Sequence, residues 1–284
     1  MAPRLGLAAR AGRPAAARPV KERATPGWPR GRDRRPPRRL AADLRAADSG
    51  RPHTPLAVND PWRGKSGLDN ACADLIMETD AVVGDVLAAI ERAGAADDTL
   101  VVFTSDNGFA PYVGAADLEK RGHFPSGPLR GYKGDAWEGG HRVAFVVRYP
   151  GVTQPGSVCD ALVHQADLIA TLADVLGAEL PGDAGEDSVS LVPLLRGGTE
   201  PVRRHAVSSS MKGVPAIRDG SWKLILGQGS GAWPSAGEDG PGPKLYDLTA
   251  DLGERTNLAA AQPDRVAAIT AVYEQLMAAE RSGR

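Results

Sequence analysis

Asp106 and Asn107 stand side by side in Phe103-Thr-Ser-Asp-Asn-Gly108, just past the apolar run Thr99-Leu-Val-Val-Phe103. Their side-chain oxygens are hard ligands of the kind that suits Ca²⁺ or Mg²⁺, and Gly108 lets the chain turn away. An Asx-type turn accounts for the same tripeptide, since Asp-Asn-Gly is ordinary turn chemistry. Further on, Leu129-Arg-Gly-Tyr-Lys-Gly-Asp-Ala-Trp-Glu-Gly-Gly-His-Arg-Val143 sets Lys133 among glycines. Each glycine costs ordering entropy, so a lysine loop built this way needs a reason. Close approach of backbone to a tetrahedral oxyanion, with the ammonium as a point charge, supplies one. A lone surface lysine has no use for that setting.

These residues need elements to hold them. Asp69 or Asn70 can cap a helix in which Ile76, Val83, Val86, Leu87 and Ile90 recur at helical spacing, with Gly94 as the stop. Thr99–Thr104 reads as a strand buried on both faces, because it lacks clean alternation. Val143–Tyr149 is a second strand, ended by Pro150-Gly151, and Ala166–Leu176 a second helix with Gly177 after it. Ligands in open α/β sheets gather at the carboxyl ends of strands, which is where Asp106 and Asn107 fall. From about residue 203 short β-type runs follow: Ala206–Ser209, Val214–Ile217, Trp222–Leu226 and Lys244–Leu248. Gly227–Pro243 reads as a loose hairpin loop. Pro263 opens a last helix with Val266, Ile269, Tyr273 and Leu276 on one face.

The domain reading is therefore 1–50 as a disordered segment, 51–202 as an α/β core and 203–284 as a small antiparallel subdomain. Residues 1–50 hold 13 Lys+Arg against 4 Asp+Glu, a surplus of nine positive charges, in a chain whose formal net charge is -1. The remainder is acidic and not built for nucleic acid. The Arg- and Pro-rich composition of 1–50 cannot offset its ordering entropy. It also suits a polybasic tail for nucleic acid or acidic lipid, or a segment that is not natural protein. Cys72 and Cys159 lack metal-ligand spacing. No apolar run approaches the ~20 residues needed to span a bilayer, and no signal peptide opens the chain. The sequence as written reads as soluble and unexported.

The two central motifs together resemble the sulfatase family, of arylsulfatase type, within the alkaline-phosphatase-like superfamily. In that family Ser-Asp-Asn-Gly supplies two ligands of a divalent cation, usually Ca²⁺, and Gly-x-Lys-Gly a lysine on the substrate sulfate. Ser105–Gly108 and Gly131–Gly134 match by order, spacing and flanks, and Pro52-His-Thr-Pro55 looks like the earlier His-Thr-Pro of the family. Arg63-Gly-Lys-Ser66, Met77-Glu-Thr-Asp80, Gln165-Ala-Asp-Leu168 and Leu245–Leu258 are similar to further family segments. The resemblance implies an alkaline-phosphatase-like layered sheet with helices on both faces, present in part, and a small C-terminal antiparallel sheet with a terminal helix. It implies a sulfuric ester hydrolase acting on a sulfate monoester or sulfated sugar, with Asp106 and Asn107 on the metal, Lys133 on sulfate and His53 assisting the leaving group.

The family's nucleophile is a formylglycine made from cysteine in Cys-x-Pro-x-Arg, and neither Cys72 nor Cys159 is followed by that pattern. Asp97-Asp98 precedes the strand that Asp106 follows and reads as a turn, not the paired acidic metal site. Ser126-Gly-Pro-Leu-Arg130 fits a serine form of the nucleophile motif by coincidence, since it leads directly into the lysine loop. His123 and His205 read as surface residues and His164 as lying near a helix start. His141 either shapes the lysine loop or touches substrate. Ala46–Arg51 is too polar for the apolar strand that brings the family's histidine to its site. The expectation is a C-terminal sulfatase part, inactive alone, that a separate N-terminal half would complement, with residues 1 to about 50 arising from a shifted frame or wrong start. The rival readings are a phosphate or phosphonate ester hydrolase, against which Asn107 speaks because those relatives usually carry histidine there, and a non-catalytic sulfate-binding remnant.

Overall fold

The computed structural model describes residues 53–233 and 240–279; the reading of residues 1–50 as disordered lies outside them. The first long element is α1, Ala71–Arg92. Asn70, in an extended conformation, caps it by accepting from the Ala73 N–H at 3.0 Å. The helix ends in a Schellman arrangement. Gly94, at φ +66°, donates to Glu91 O, and Ala95 donates to Ile90 O.

The face that α1 buries is not the stripe that its periodicity picks out. Ile76, Val86 and Leu87 are exposed, whereas Cys72, Asp74, Leu75 and Glu78 are buried. The buried carboxylates hold loops. Asp74 accepts from the N–H groups of Gly64 and Ser66 at 2.7 and 2.9 Å, and Glu78 accepts from the Asn59 backbone at 3.2 Å. Asp74 thus holds Arg63-Gly-Lys-Ser66 on α1, and Glu78 of Met77-Glu-Thr-Asp80 holds Asn59 ahead of it.

A short turn over residues 96–98 leads into β1, Val101–Thr104. Residues 115–120 form α2, Ala115–Lys120, and 138–141 form α3, Glu138–His141. The strand β2, Phe145–Arg148, returns antiparallel to β1 with Phe103 opposite Val146. That pair is 41% and 59% exposed, which corrects the expectation that this strand is buried on both faces. The sheet that β1 and β2 form has two described strands, and the face carrying Phe103 and Val146 is partly exposed.

Next come α4, Asp167–Leu176, stopped by Gly177 at φ +62°, and α5, Val192–Leu195. A four-stranded meander follows: β3, His205–Ser209; β4, Pro215–Asp219; β5, Trp222–Ile225; and β6, Lys244–Asp247. The last helix is α6, Pro263–Ala278. Period-2 alternation splits this sheet cleanly. Ile217, Leu224 and Leu245 lie across from one another and pack under Ile269 of α6. The opposite face presents Ala216, Ile225 and Tyr246, which enclose Ala136 and Trp137 from the lysine-loop segment. The sheet therefore serves as the floor on which that loop is mounted. No helix among the described residues is long and apolar enough to cross a membrane.

Candidate functional site

Gln165 fixes the end of β1: its side-chain amide donates to Thr104 Oγ1 at 3.0 Å and also to the Ser105 carbonyl. The chain then turns, with Ser105 Oγ donating to the Asn107 carbonyl at 3.1 Å and Asn107 Nδ2 to the Gly108 carbonyl at 3.1 Å. With its amide nitrogen so engaged, Asn107 Oδ1 makes no hydrogen bond among the described residues. Asp106 is exposed, and Ser105 Oγ lies 3.5 Å from its Oδ1.

Two backbone bonds carry this turn to the lysine loop. Gly108 N–H donates to Gly140 O at 3.0 Å, and Lys133 N–H donates to Phe109 O at 2.9 Å. The glycines permit this. A Cβ on Gly108 would stand 1.8 Å from Gly139 O, and one on Gly140 would stand 2.2 Å from Asp135 O. The close approach that the sequence suggested for an anion is thus also an approach of protein backbone to protein backbone.

Lys133 is clamped on its other side as well, since the Trp233 indole N–H donates to its carbonyl at 2.6 Å. Asp135 braces the loop from within by accepting from Tyr132 N–H at 2.8 Å and from the Ser230 hydroxyl. Ser230 and Ala232 are buried, so this part of the Gly227–Pro243 connection is packed against the lysine loop and not loose. No ion pair engages the half-buried Lys133 ammonium among the described residues, although its backbone is fixed at both ends.

The chain as a whole has known relatives. The sulfatase family model matches residues 46–178. An N-acetylgalactosamine-6-O-sulfatase of Bacteroides thetaiotaomicron is 34% identical over 79% of this chain and 45% of its own length. A mouse steryl-sulfatase is 35% identical over 72% of this chain and 36% of its own length. A solved structure from work on glycosaminoglycan metabolism by Bacteroides thetaiotaomicron superposes with a TM-score of 0.72 at 31% identity, covering 80% of this chain and 48% of that one. This chain belongs to the sulfatase family.

The chain spans less than half the length of these relatives. Sulfatases use a metal ion and formylglycine, and the two requirements fare differently here. Asp106 and the free Oδ1 of Asn107 are hard oxygen donors at one strand end and fit a share of a divalent-cation shell. Among the described residues no cluster of three or more His, Cys, Asp or Glu could hold a metal ion, so they are a share and not the whole. The cysteines do not fit formylglycine. Cys72 is buried in α1 with its thiol pushed up by burial, Cys159 is exposed, and neither has the x-Pro-x-Arg that the modification requires. Ser126 and Arg130 have structural duties: Ser126 donates to the Gly131 carbonyl at 2.9 Å, and Arg130 stacks over Trp137 at 3.8 Å.

His53 is exposed, and its ring nitrogen meets the neighbouring Thr54 carbonyl at 2.7 Å. None of the bonds joining the Asp106 turn to the Lys133 loop reaches it.

Beneath the sulfatase loop lies a buried charge cluster that sequence reasoning missed. The Lys223 ammonium, fully buried on β5, sits 3.0 Å from Glu138 Oε1 and 2.9 Å from Glu254 Oε1. Glu254 Oε2 accepts from the Glu138 backbone N–H at 2.6 Å. Arg218, cross-strand partner of Lys223, and Arg142 each approach Glu138 Oε2 at 3.3 Å. Burial alone would raise the Glu138 carboxyl, but the His141 hydrogen bond and the nearby charges of Lys223 and Arg218 hold it far below the usual range. His141, 3.5 Å from Glu138 Oε1, is pushed down by burial against that carboxylate's pull. Burial likewise pushes Glu254 up, offset by Lys223. The available signal was a lysine at an inward position of β5, paired across the sheet with an arginine.

Proposed function

We propose that this chain carries the metal-and-sulfate half of a sulfuric ester hydrolase site. Asp106 and Asn107 hold a divalent cation, Ca²⁺ with Mg²⁺ as the alternative, and Lys133 holds the sulfate of a monoester or sulfated sugar. The carrying observation is the 2.9 Å bond from Lys133 N–H to Phe109 O, which ties the lysine loop two residues from the Asn107 turn. When bound, the cation supplies positive charge against the oxyanion. Lys133 does the same by its ammonium, on a backbone whose fixed position avoids reorganisation when charge develops. The Glu138–Lys223–Glu254 cluster keeps the loop on its sheet. A leaving-group role for His53 rests on family resemblance alone. A separate complementing N-terminal half finds no support among the relatives.

Calorimetric titration of the chain with Ca²⁺ tests the reading. Binding is expected in the native chain and loss by about tenfold or more in Asp106→Ala, because a hard cation loses a charged ligand. Equal Ca²⁺ affinity in the two proteins would refute the assignment.

A further inference from the structure

The lysine loop borders a second feature. A hollow of about 450 Å³ is lined by Glu119, Phe124, Leu129, Arg130, Tyr132 and Arg255, among others. It lies along Arg130-Gly131-Tyr132, immediately before Lys133 in the chain. Its volume is in the range of small-molecule sites, roughly 300–1,000 Å³. Phe124, one of the lining residues, is 61% exposed and offers an aromatic face.

The charges around the hollow are uneven. Arg130 is fixed in place, stacked on Trp137 and donating to Glu254 O at 2.6 Å. Arg255 is anchored by its backbone, whose N–H meets Asp251 Oδ2 at 2.7 Å, while its exposed side chain makes no hydrogen bond or ion pair among the described residues. The one carboxylate in the lining, Glu119, is occupied by the Tyr132 hydroxyl. Burial first, and then Glu119, push that hydroxyl well up, so it keeps its proton and goes on donating. What remains on offer is guanidinium charge next to an apolar ring. A sterol in this hollow would strip water from the guanidiniums without repaying them, which is costly. A sugar ring carrying an anionic group matches both features: carbon face on Phe124, anion on Arg255.

We propose that this hollow is a subsite for an acidic sugar residue neighbouring the sulfated one, which makes the substrate an anionic oligosaccharide and not a sterol or simple aryl sulfate. The proposal deepens the sulfate-ester reading and rests on Lys133 being the sulfate residue of the same site.

The probe is an unsulfated, glucuronate-containing chondroitin disaccharide, with lactose as the neutral control and inorganic sulfate titrated separately. The acidic disaccharide is expected to bind the native chain and lactose to bind about tenfold more weakly. Arg255→Ala and Arg255→Gln are each expected to weaken the acidic disaccharide about tenfold, as for one charge-assisted hydrogen bond. Near-ultraviolet circular dichroism checks that each variant is folded. No binding of the acidic disaccharide, equal binding of lactose, or an Arg255 variant without effect would overturn the subsite. Inorganic sulfate reports on the other reading: it should depend on Lys133 and be indifferent to Arg255, so the two assignments fail separately.

Discussion

The Lys223 ammonium sits 3.0 Å from Glu138 Oε1, fully buried, and joins the central strand of the C-terminal meander to the helix that closes the lysine loop. Arg218 of the neighbouring strand reaches the same carboxylate at 3.3 Å. Removing one partner from a buried ion pair leaves an uncompensated charge and costs about 3–5 kcal/mol. Lys223→Met is expected to lose stability on that scale in urea unfolding. The double variant Lys223→Met/Glu138→Gln should lose less than the two single changes added together, since the sites share one contact. Simple additivity would show that the cluster is not a unit.

A Cβ at Gly108 has no room, because the Gly139 carbonyl oxygen would lie 1.8 Å away. Gly108→Ala must therefore part the Asp106 turn from the lysine loop. A loss of about 3 kcal/mol is expected, at the upper end of overpacking costs, together with faster amide exchange at Lys133. An unchanged exchange rate at Lys133 would contradict the close approach.

His141 sets a pH dependence whose sign is fixed. Burial holds its imidazole below the ordinary value, so the unfolded chain takes up the proton first. Its contribution to stability is expected to be full above about pH 6.5 and to fall as pH drops through that value toward the folded-state one. Comparing native and His141→Gln midpoints across that window checks this. The variant should show the shallower fall, and parallel curves would remove His141 from the account.

Much of this was legible in the sequence, and the parts that were not share a cause. Asn70, Gly94, Gly177 and Pro263 mark their helix ends because capping and chain direction are local matters. The meander strands were readable from their turns. The burial of α1 was not, because its periodic stripe Ile76, Val86 and Leu87 is exposed and its buried face carries Asp74 and Glu78. Local pattern shows which residues could be covered, and only tertiary placement shows which are. Residues 228–233 looked like loop by composition, yet Ser230 and Trp233 hold the lysine loop through polar bonds that composition does not encode. Asp106, Asn107 and Lys133 stand out in the sequence as candidates by type and spacing, whereas the buried pair Lys223 and Glu254 does not, since charged residues ordinarily face water.

Phe103 and Val146 face each other across β1 and β2 with their side chains largely in water. Exposed apolar surface on a sheet invites association. The chain is expected to bind a hydrophobic dye and to self-associate as concentration rises. Phe103→Thr with Val146→Thr should reduce both. Dye binding unaffected by the pair would place the sticky surface elsewhere.

The absence of Cys-x-Pro-x-Arg leads to a further expectation: the chain with saturating Ca²⁺ and no zinc should not turn over an aryl sulfate. Turnover proportional to chain concentration, surviving purification, would refute it.

The central claim is that the cation residues Asp106 and Asn107 and the ammonium of Lys133 address one sulfate. The most direct measurement is the affinity of inorganic sulfate with and without Ca²⁺, in the native chain, in Lys133→Ala and in Asp106→Ala. If cation and ammonium share the anion, Ca²⁺ should tighten sulfate binding about tenfold, and sulfate should tighten Ca²⁺ by the same factor. Asp106→Ala should abolish that coupling, and Lys133→Ala should weaken sulfate while leaving Ca²⁺ bound. Sulfate affinity that ignores Ca²⁺ in a chain that binds both would contradict the account.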